Sequence, residues 1–305
     1  MSGYWKKFNF SIVTGVVRYS DYAIISLVDD DLAGQKIPHS YVKEWDAGLW
    51  RGEPDMDVDW DTVSATLAKY PLKQGLIMGE GGEVMCDGSG DYHIEQIGIA
   101  DNSPEHYGPM RGIRLIGDQV YAVGMNRQAY RRDKKGAWTN IDNDIKTPPE
   151  SDDVTGFEAV DGFNEKEIYA VGWDGEIWQF NGRKWSQKDS PTNFVLVDVC
   201  CAGDGNVYAC GRLGTLLRGR GDRWEVIKHE SIDDDIWSLA WYKDRLYLST
   251  MDAVYVLEDD RLLFMNMGKD QPETCFHLST ADGVLWSIGA RDIMSFDGST
   301  WTRID

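Results

Sequence analysis

The sequence lacks the features that membrane proteins and disulfide-rich secreted domains need. No apolar run approaches the ~20 residues of a membrane helix, and the N-terminal segment has neither the apolar stretch nor the small-residue cleavage site of a secretory signal. The five cysteines are an odd number and form no C-x-x-C pair. Because a chain of this length builds a core without disulfides, we expect a cytoplasmic protein with reduced thiols.

Signatures of metal, cofactor and catalytic sites are also missing. The five histidines are scattered without an H-x-x-x-H pair, and no G-x-S-x-G occurs. Asp55, Asp57 and Asp59 alternate as calcium ligands can, but Trp60 stands where an EF-hand loop requires glycine. The sequence therefore predicts no catalytic residue, cofactor or metal, although a calcium site in this run and a chance pair of catalytic carboxylates stay open as alternatives.

Basic residues are scarce. The chain has 31 lysines and arginines against 51 acidic residues, which gives a formal net charge of -20. Such a surface repels nucleic acids and anionic membranes and favours a basic protein partner. We therefore predict a monomer that binds a basic protein and neither nucleic acid nor membrane.

Internal repetition is the strongest positive signal. Four segments share one template, namely QVYAVGMNRQAYRRDKKGAWTNI, EIYAVGWDGEIWQFNGRKWSQK, NVYACGRLGTLLRGRGDRWEVI and VLWSIGARDIMSFDGSTWTRI. With two weaker copies, the units align on a first large residue at Leu76, Tyr121, Tyr169, Tyr208, Tyr247 and Trp286, spaced 45, 48, 39, 39 and 39 residues apart. A second large residue follows within each unit, at Tyr92, Trp138, Trp185, Trp224, Leu263 and Trp301. Repeats of this length indicate a solenoid or a propeller.

Each unit is predicted to form four short antiparallel strands, A to D. In the clearest unit the strands are residues 156–162, 167–173, 176–180 and 184–188, with the turn signal Asn181-Gly182 between the last two. The tryptophan on strand D is expected to pack between neighbouring units. The glycine that ends strand B is expected to let backbones approach closely or to begin the next turn. Units that cannot bury their faces alone close into a ring, so the fold class is all-β, a single closed β-propeller.

The pattern YAVG…G…DG…W resembles bacterial propellers of the WD-repeat-like and kelch-like kind, although it lacks the G-H and W-D dipeptides of true WD repeats. The resemblance implies the fold and leaves the function open. Residues 61–305 contain six recognisable repeats, and residues 1–60 read as a divergent first blade, which gives seven blades in one domain over residues 1–305. The alternative is six blades with an N-terminal cap. Residues 61–70 fit either a short helix or an irregular inner strand.

In a propeller, the D-to-A and B-to-C loops gather on one face. Here those loops are rich in acids and carry large aromatic side chains, whereas the opposite turns (DKKG, NGRK and RGRGDR) are mixed or basic. Aromatic anchors surrounded by charge are typical of protein-binding hot spots. The candidate partner-binding residues are Asp55, Asp57, Asp59, Trp60, Tyr107, Asp152, Asp153, Trp173, Phe194, Asp233, Asp234, Asp235 and Trp237. Trp237 directly follows the acidic run, so its side chain could instead belong to the core.

These features predict a non-enzymatic, protein-binding propeller with an acidic face. The sharpest version of this hypothesis is a bacterial immunity protein that neutralises a cognate basic toxin. One alternative is a general interaction scaffold. The other is a carbohydrate-active or lactone-processing propeller enzyme, which tight binding of a metal would favour.

Overall fold

The computed structural model describes residues 9–51, 58–98, 102–142, 145–148 and 150–304. Over these residues the chain forms seven four-stranded antiparallel sheets, and in each sheet the strands follow one another in chain order. These are the seven blades of a β-propeller, so the predicted fold class and blade number are confirmed. The six-blade alternative is wrong because the divergent N-terminal segment itself forms a complete four-stranded sheet.

The chain divides into two compact units, and the second comprises residues 63–228. Blades 2 to 5 belong to it, with strand β5 beginning at the boundary. Blade 2 consists of β5 (Thr62–Ala68), β6 (Gln74–Gly79), β7 (Glu83–Gly88) and β8 (Asp91–Gln96), and blade 3 of β9 (Met110–Ile116), β10 (Gln119–Gly124), β11 (Gln128–Arg132) and β12 (Trp138–Asn140). Blade 4 consists of β13 (Phe157–Asn164), β14 (Glu167–Gly172), β15 (Ile177–Phe180) and β16 (Trp185–Lys188), and blade 5 of β17 (Leu196–Cys201), β18 (Val207–Gly211), β19 (Leu216–Arg220) and β20 (Arg223–Val226).

The first unit combines residues 1–62 with residues 229–305. Blade 1 consists of β1 (Phe10–Tyr19), β2 (Tyr22–Asp29), β3 (Tyr41–Asp46) and β4 (Leu49–Arg51), and blade 6 of β21 (Ser238–Tyr242), β22 (Arg245–Ser249), β23 (Val254–Glu258) and β24 (Arg261–Phe264). Blade 7 consists of β25 (His277–Ala281), β26 (Val284–Ile288), β27 (Ile293–Phe296) and β28 (Trp301–Arg303). Blades 7 and 1 are joined by the backbone bond from Ile12 N to Ala290 O (2.9 Å). Arg291 adds an ion pair with Asp30. The prediction of a single domain stays a prediction.

Among the described residues, the helical elements are short segments between strands, which include α1 (Asp30–Gly34), α2 (Pro104–Tyr107) and 3-10 turns at Trp173–Gly175 and Gly268–Asp270. Within the described ranges, no helix is long and apolar enough to span a bilayer. The helix considered for residues 61–70 is wrong, because this segment forms the first strand of blade 2.

The glycine at the end of strand B has a steric role in its own blade. A Cβ atom on Gly172 would overlap the carbonyl oxygen of Gly156, and one on Gly211 would overlap that of Val195. In blade 7, a Cβ on Gly289 would collide with Thr274 in the same way. The predicted close approach of backbones at these glycines is therefore confirmed, because strand A enters each of these blades directly against the end of strand B.

Tryptophans on strand D pack between blades, as predicted. Trp185 is 6% exposed, its ring lies 5.7 Å from that of Phe157, and its Nε1 donates to the carbonyl of Ile141 in blade 3 (3.0 Å). In blades 2 and 6 the second large residue of the repeat is not a tryptophan, and its side chain is more exposed. Tyr92 is 55% exposed and Leu263 is 44% exposed, so strand D of blades 2 and 6 places these side chains outside the core.

All five cysteines are without disulfides. Cys200 and Cys201 are adjacent on strand β17, where Cys200 is buried and Cys201 is half-buried. Burial raises the pKa of the Cys201 thiol far above its ordinary range. The Cys201 thiol is therefore protonated and unreactive at neutral pH.

Candidate functional site

The loops at one end of blades 3 to 5 form a continuous surface in the second unit. Backbone hydrogen bonds join them: Asn126 N donates to Thr155 O (2.9 Å), and Trp173 N donates to Gly156 O (3.0 Å). We call this surface the unit-two strip. It covers residues 125–127, 147–156, 173–175, 190–195 and 212–214, apart from residue 149, which lies outside the described residues. Because each of these B-to-C turns bonds to a D-to-A connection, the strip is a fixed part of the scaffold.

Four of the predicted binding residues lie in this strip. Asp152 and Asp153 are exposed, and Phe194 is 45% exposed. Trp173 is half-buried, and its Nε1 donates to Glu158 Oε1 (2.6 Å), which fixes the orientation of the indole. The structure thus brings these four residues onto one connected surface, although it leaves their role in binding as a prediction.

Tyr107 lies beside the strip at the end of helix α2. Its carbonyl accepts a hydrogen bond from Asn126 Nδ2 (3.0 Å). The ammonium of Lys146 lies 4.0 Å from the centre of the Tyr107 ring, and Lys146 also pairs with Asp142 (2.9 Å). One face of this aromatic ring is therefore already occupied by a cation of the same chain.

Two apolar residues of the strip were missed by the sequence prediction. Val154 is 60% exposed and Leu213 is 63% exposed. Leu213 follows strand β18 in a B-to-C turn and has a positive φ of 53°. The signal that could have revealed it is its place in the repeat, because the corresponding turns of blades 3 and 4 carry Asn126 and Asp174.

The strip is acidic. Its exposed carboxylates belong to Glu150, Asp152, Asp153 and Asp174, and its basic side chains are Arg127 and Arg212. The charge of Arg127 is paired within the protein. Its Nε donates to Glu176 Oε2 (2.8 Å), and its guanidinium lies 5.4 Å from the centre of the Trp178 ring. The hydrogen bonds that Arg127 donates to the Glu176 carboxylate raise the pKa of Arg127. The remaining charge on this surface is therefore negative.

Turns at the other end of the same blades are closer to neutral. Lys134 pairs with Asp118 (2.9 Å), and Arg220 pairs with Glu167 (2.7 Å). Cations and anions thus compensate each other locally at these pairs, and the charge asymmetry predicted between the two sets of loops stays a prediction.

In the first unit, part of the predicted surface lies outside the described residues, namely Asp55 and Asp57. Asp59 is exposed and Trp60 is half-buried. The Trp60 carbonyl accepts a hydrogen bond from Ser40 Oγ (2.9 Å), and its indole nitrogen is buried without a hydrogen-bond partner in the described structure. Trp60 is therefore held against the fold and presents little free aromatic surface.

The second acidic run of the first unit precedes blade 6. Asp233 and Asp234 are exposed, whereas Asp235 is half-buried. Trp237 is also half-buried, with its ring 5.4 Å from that of Phe276, and its backbone N donates to Ser249 O (2.8 Å). Trp237 therefore packs beside strand β21 and is not a projecting anchor, whereas the two aspartates before it face solvent.

One cluster in blade 2 has the composition of a metal site. Ligand atoms of Cys86, His93 and Glu95 lie within 4.8 Å of one another. However, Arg132 Nε donates to Glu95 Oε2 (2.8 Å), and Trp138 Nε1 donates to the same oxygen (2.8 Å). Burial raises the pKa of the Cys86 thiol to about 12. A guanidinium already neutralises the carboxylate and the thiol is protonated, so the arrangement suits an ion-pair network between blades 2 and 3 better than a cation.

Comparison with solved structures defines the class of protein as a seven-bladed β-propeller that resembles WD40 and related propellers. A structure described as YCF48 bound to D1 peptide matches with a TM-score of 0.66 at 14% identity, covering 95% of this chain and 92% of that chain. The WD40 propeller domain of Doa1 matches with a TM-score of 0.63 at 11% identity over 96% of both chains. Virginiamycin B lyase from Staphylococcus aureus matches with a TM-score of 0.62 at 12% identity, covering 79% of this chain and 83% of that chain. Identities this low show the fold alone.

Sequence comparison identifies the family. No protein-family model matches the chain. The immune protein Tsi7 of Pseudomonas aeruginosa is 52% identical over 298 residues, which cover 97% of this chain and 97% of that protein. The chain therefore belongs to the family of the immune protein Tsi7, and this relationship indicates a non-enzymatic role.

Proposed function

We propose that this chain is a bacterial immunity protein that binds and neutralises a toxin and catalyses no reaction of its own. The observation that carries the proposal is the 52% identity to the immune protein Tsi7 over 97% of both chains. The match runs along nearly the whole length, so it includes the segments that form the loops as well as the strands that build the blades. A shared way of acting is therefore expected, and it requires a toxin as partner.

We expect a monomer of this chain to bind its partner in the cytoplasm, and the surface charge supports a basic partner. The net charge is -20, and exposed aspartates lie on loops in each unit, at Asp152 and Asp153 in the second and at Asp233 and Asp234 in the first. A field of this sign accelerates encounter with a cationic protein, to about 10⁸–10⁹ M⁻¹s⁻¹ at low salt in favourable cases. The toxin would then be inhibited because its cationic working surface is covered.

The scaffold supports inhibition by tight binding. Loops that are bonded to neighbouring loops, as in the unit-two strip, lose little conformational freedom when a partner docks. Carboxylates around partly exposed apolar side chains such as Phe194 combine steering with a desolvated contact. Charge would thus govern the association rate and apolar contact the dissociation rate.

The test is affinity purification of the tagged full-length chain from its native host. The expected result is one co-purifying protein that arrests growth when it is produced alone in a laboratory bacterium, with growth restored when this chain is produced beside it. A tagged propeller of unrelated function serves as the control for non-specific capture. A stable complex with proteins that do not affect growth would instead support a general scaffold and contradict the proposal.

A further inference from the structure

Leu213 occupies a backbone conformation that suits other residue types. Its φ is 53°, and the matching B-to-C turns of blades 3 and 4 place Asn126 (φ 54°) and Asp174 (φ 55°) at the same point. Asparagine and aspartate tolerate this left-handed region, whereas a leucine there is disfavoured. The side chain is 63% exposed, so burial in the core does not compensate for the conformation. Residues kept in disfavoured conformations point to a functional use.

Phe194 lies next to Leu213 across a backbone hydrogen bond. Arg212 N donates to Val195 O (3.1 Å), and the two apolar residues are the chain neighbours of this bonded pair. The turn that carries Phe194 is itself fixed, because its backbone N donates to Thr192 Oγ1 (3.1 Å). Two large apolar side chains, 45% and 63% exposed, are thus carried by hydrogen-bonded neighbouring backbone segments at the surface.

Exposed Arg212 precedes Leu213, and the other charges of the surrounding strip are mainly negative. The turn of blade 4 packs against the same connection, because Gly175 lies directly against the backbone of Thr192, and this places the exposed Asp174 close to Phe194. Over the whole unit-two strip, four exposed acids accompany two arginines, one of which is Arg127, already paired with Glu176. A second copy of this chain would bring like charges together, so the surface favours a cationic partner.

We infer that Phe194 and Leu213 form the apolar anchor site for the toxin, and that they receive a lysine- or arginine-bearing segment with one large apolar side chain. This inference rests on the proposed function. The partner's apolar side chain would be buried against the pair, and its cations would lie over Asp174 and the neighbouring carboxylates. The leucine would be retained because its contact with the toxin outweighs its disfavoured backbone conformation.

Leu213→Asn tests the inference first in the free protein. Asparagine suits the left-handed conformation, so the full-length variant should unfold in urea at the same midpoint as the wild type or at a higher one. Ile94→Thr is the matched control, since Ile94 is 52% exposed and lies outside the strip. A lower midpoint for Leu213→Asn would show that this leucine stabilises the turn by itself and would overturn the inference.

The second arm measures binding kinetics with one defined probe, the growth-arresting protein that co-purifies with the wild-type chain. Leu213→Asn and Phe194→Ser should each dissociate about tenfold faster or more, with association changed by less than about twofold. Asp174→Lys should mainly slow association and reduce its dependence on salt. Ile94→Thr should behave as the wild type.

The outcomes separate the two proposals. If the wild-type chain captures no growth-arresting protein, the proposed function fails and the anchor site fails with it. If the wild type binds and both apolar variants keep wild-type kinetics, only the anchor site is overturned. A wild-type dimer that Leu213→Asn converts to a monomer would assign the pair to self-association and would also overturn the inference.

Discussion

Replacing Trp185 by alanine tests whether strand-D tryptophans hold the blades together. The ring is 6% exposed and lies 5.7 Å from Phe157 and 5.0 Å from Phe180. Deleting a large buried aromatic side chain costs about 3–5 kcal/mol. The lost hydrogen bond to the Ile141 carbonyl (3.0 Å) accounts for about 1 kcal/mol of this, because that acceptor would be left without its donor.

Two further variants help to interpret the loss of unfolding free energy in Trp185→Ala. Trp185→Phe retains an aromatic ring and removes the indole N–H, so it should lose roughly 1–2 kcal/mol. Trp224→Ala is the comparison variant: Trp224 also packs on the neighbouring blade, with its ring 5.9 Å from that of Tyr169, but it is half-buried and its Nε1 donates to Gly221 in its own turn (3.0 Å). Its loss should be smaller, about 2 kcal/mol.

Urea and thermal unfolding of the full-length chain provide the assay. For a protein of this size, each kcal/mol lowers Tm by about 2 °C, so Trp185→Ala should melt roughly 6–10 °C below wild type. A shift of one or two degrees, or a loss no larger than that of Trp224→Ala, would refute the reasoning that Trp185 joins blade 4 to blade 3.

Three other variants test the account at separate places. Gly172→Ala should destabilise by about 3 kcal/mol in urea unfolding, because its Cβ would overlap the Gly156 carbonyl, and wild-type stability would disprove the close approach. The hydrogen bond that the His93 ring donates to the Glu95 carboxylate raises the pKa of His93, so the stability that charged His93 contributes is fully present below pH ~6.5 and is lost as pH rises through the raised pKa. The difference in unfolding free energy between wild type and His93→Asn should therefore shrink over that range, and a constant difference would contradict it. The double variant Asp233→Lys and Asp234→Lys should leave Tm nearly unchanged and should slow toxin association with a weaker salt dependence. Wild-type association rates would exclude these exposed residues from the toxin-binding surface.

The repeat carried most of the fold prediction, because 39-residue spacing and turn signals are local properties of the chain. Strand β14, for example, is observed at Glu167–Gly172 where residues 167–173 were predicted. The ambiguity over residues 61–70 had a physical origin: Val63 and Leu67 fit a helical face. Their segment is held as a strand by distant bonds, in which Ser64 Oγ accepts from Ile113 N (3.3 Å) and Thr66 Oγ1 accepts from Leu115 N (3.0 Å).

The candidate site was harder to predict, since exposure depends on how turns pack against other turns. The sequence order suggested Trp237 as an anchor, yet its ring packs on Phe276, a contact across 39 residues that no local pattern reveals. Leu213 was missed because its sequence signal lies only in its place in the repeat, where blades 3 and 4 carry Asn126 and Asp174, and not in a strand or helix periodicity. Its φ of 53° becomes informative only when the neighbouring blades are compared in three dimensions.

The most direct test of the central claim is the survival of a native-host strain that lacks this gene. Such a strain should stop growing when its own toxin is produced or when it is cultured with its unaltered parent. A plasmid copy of the wild-type chain should restore growth, whereas a copy carrying both Leu213→Asn and Phe194→Ser, at equal protein levels, should restore it poorly. Normal growth of the deletion strain under all of these conditions would contradict the account of this chain as an immunity protein.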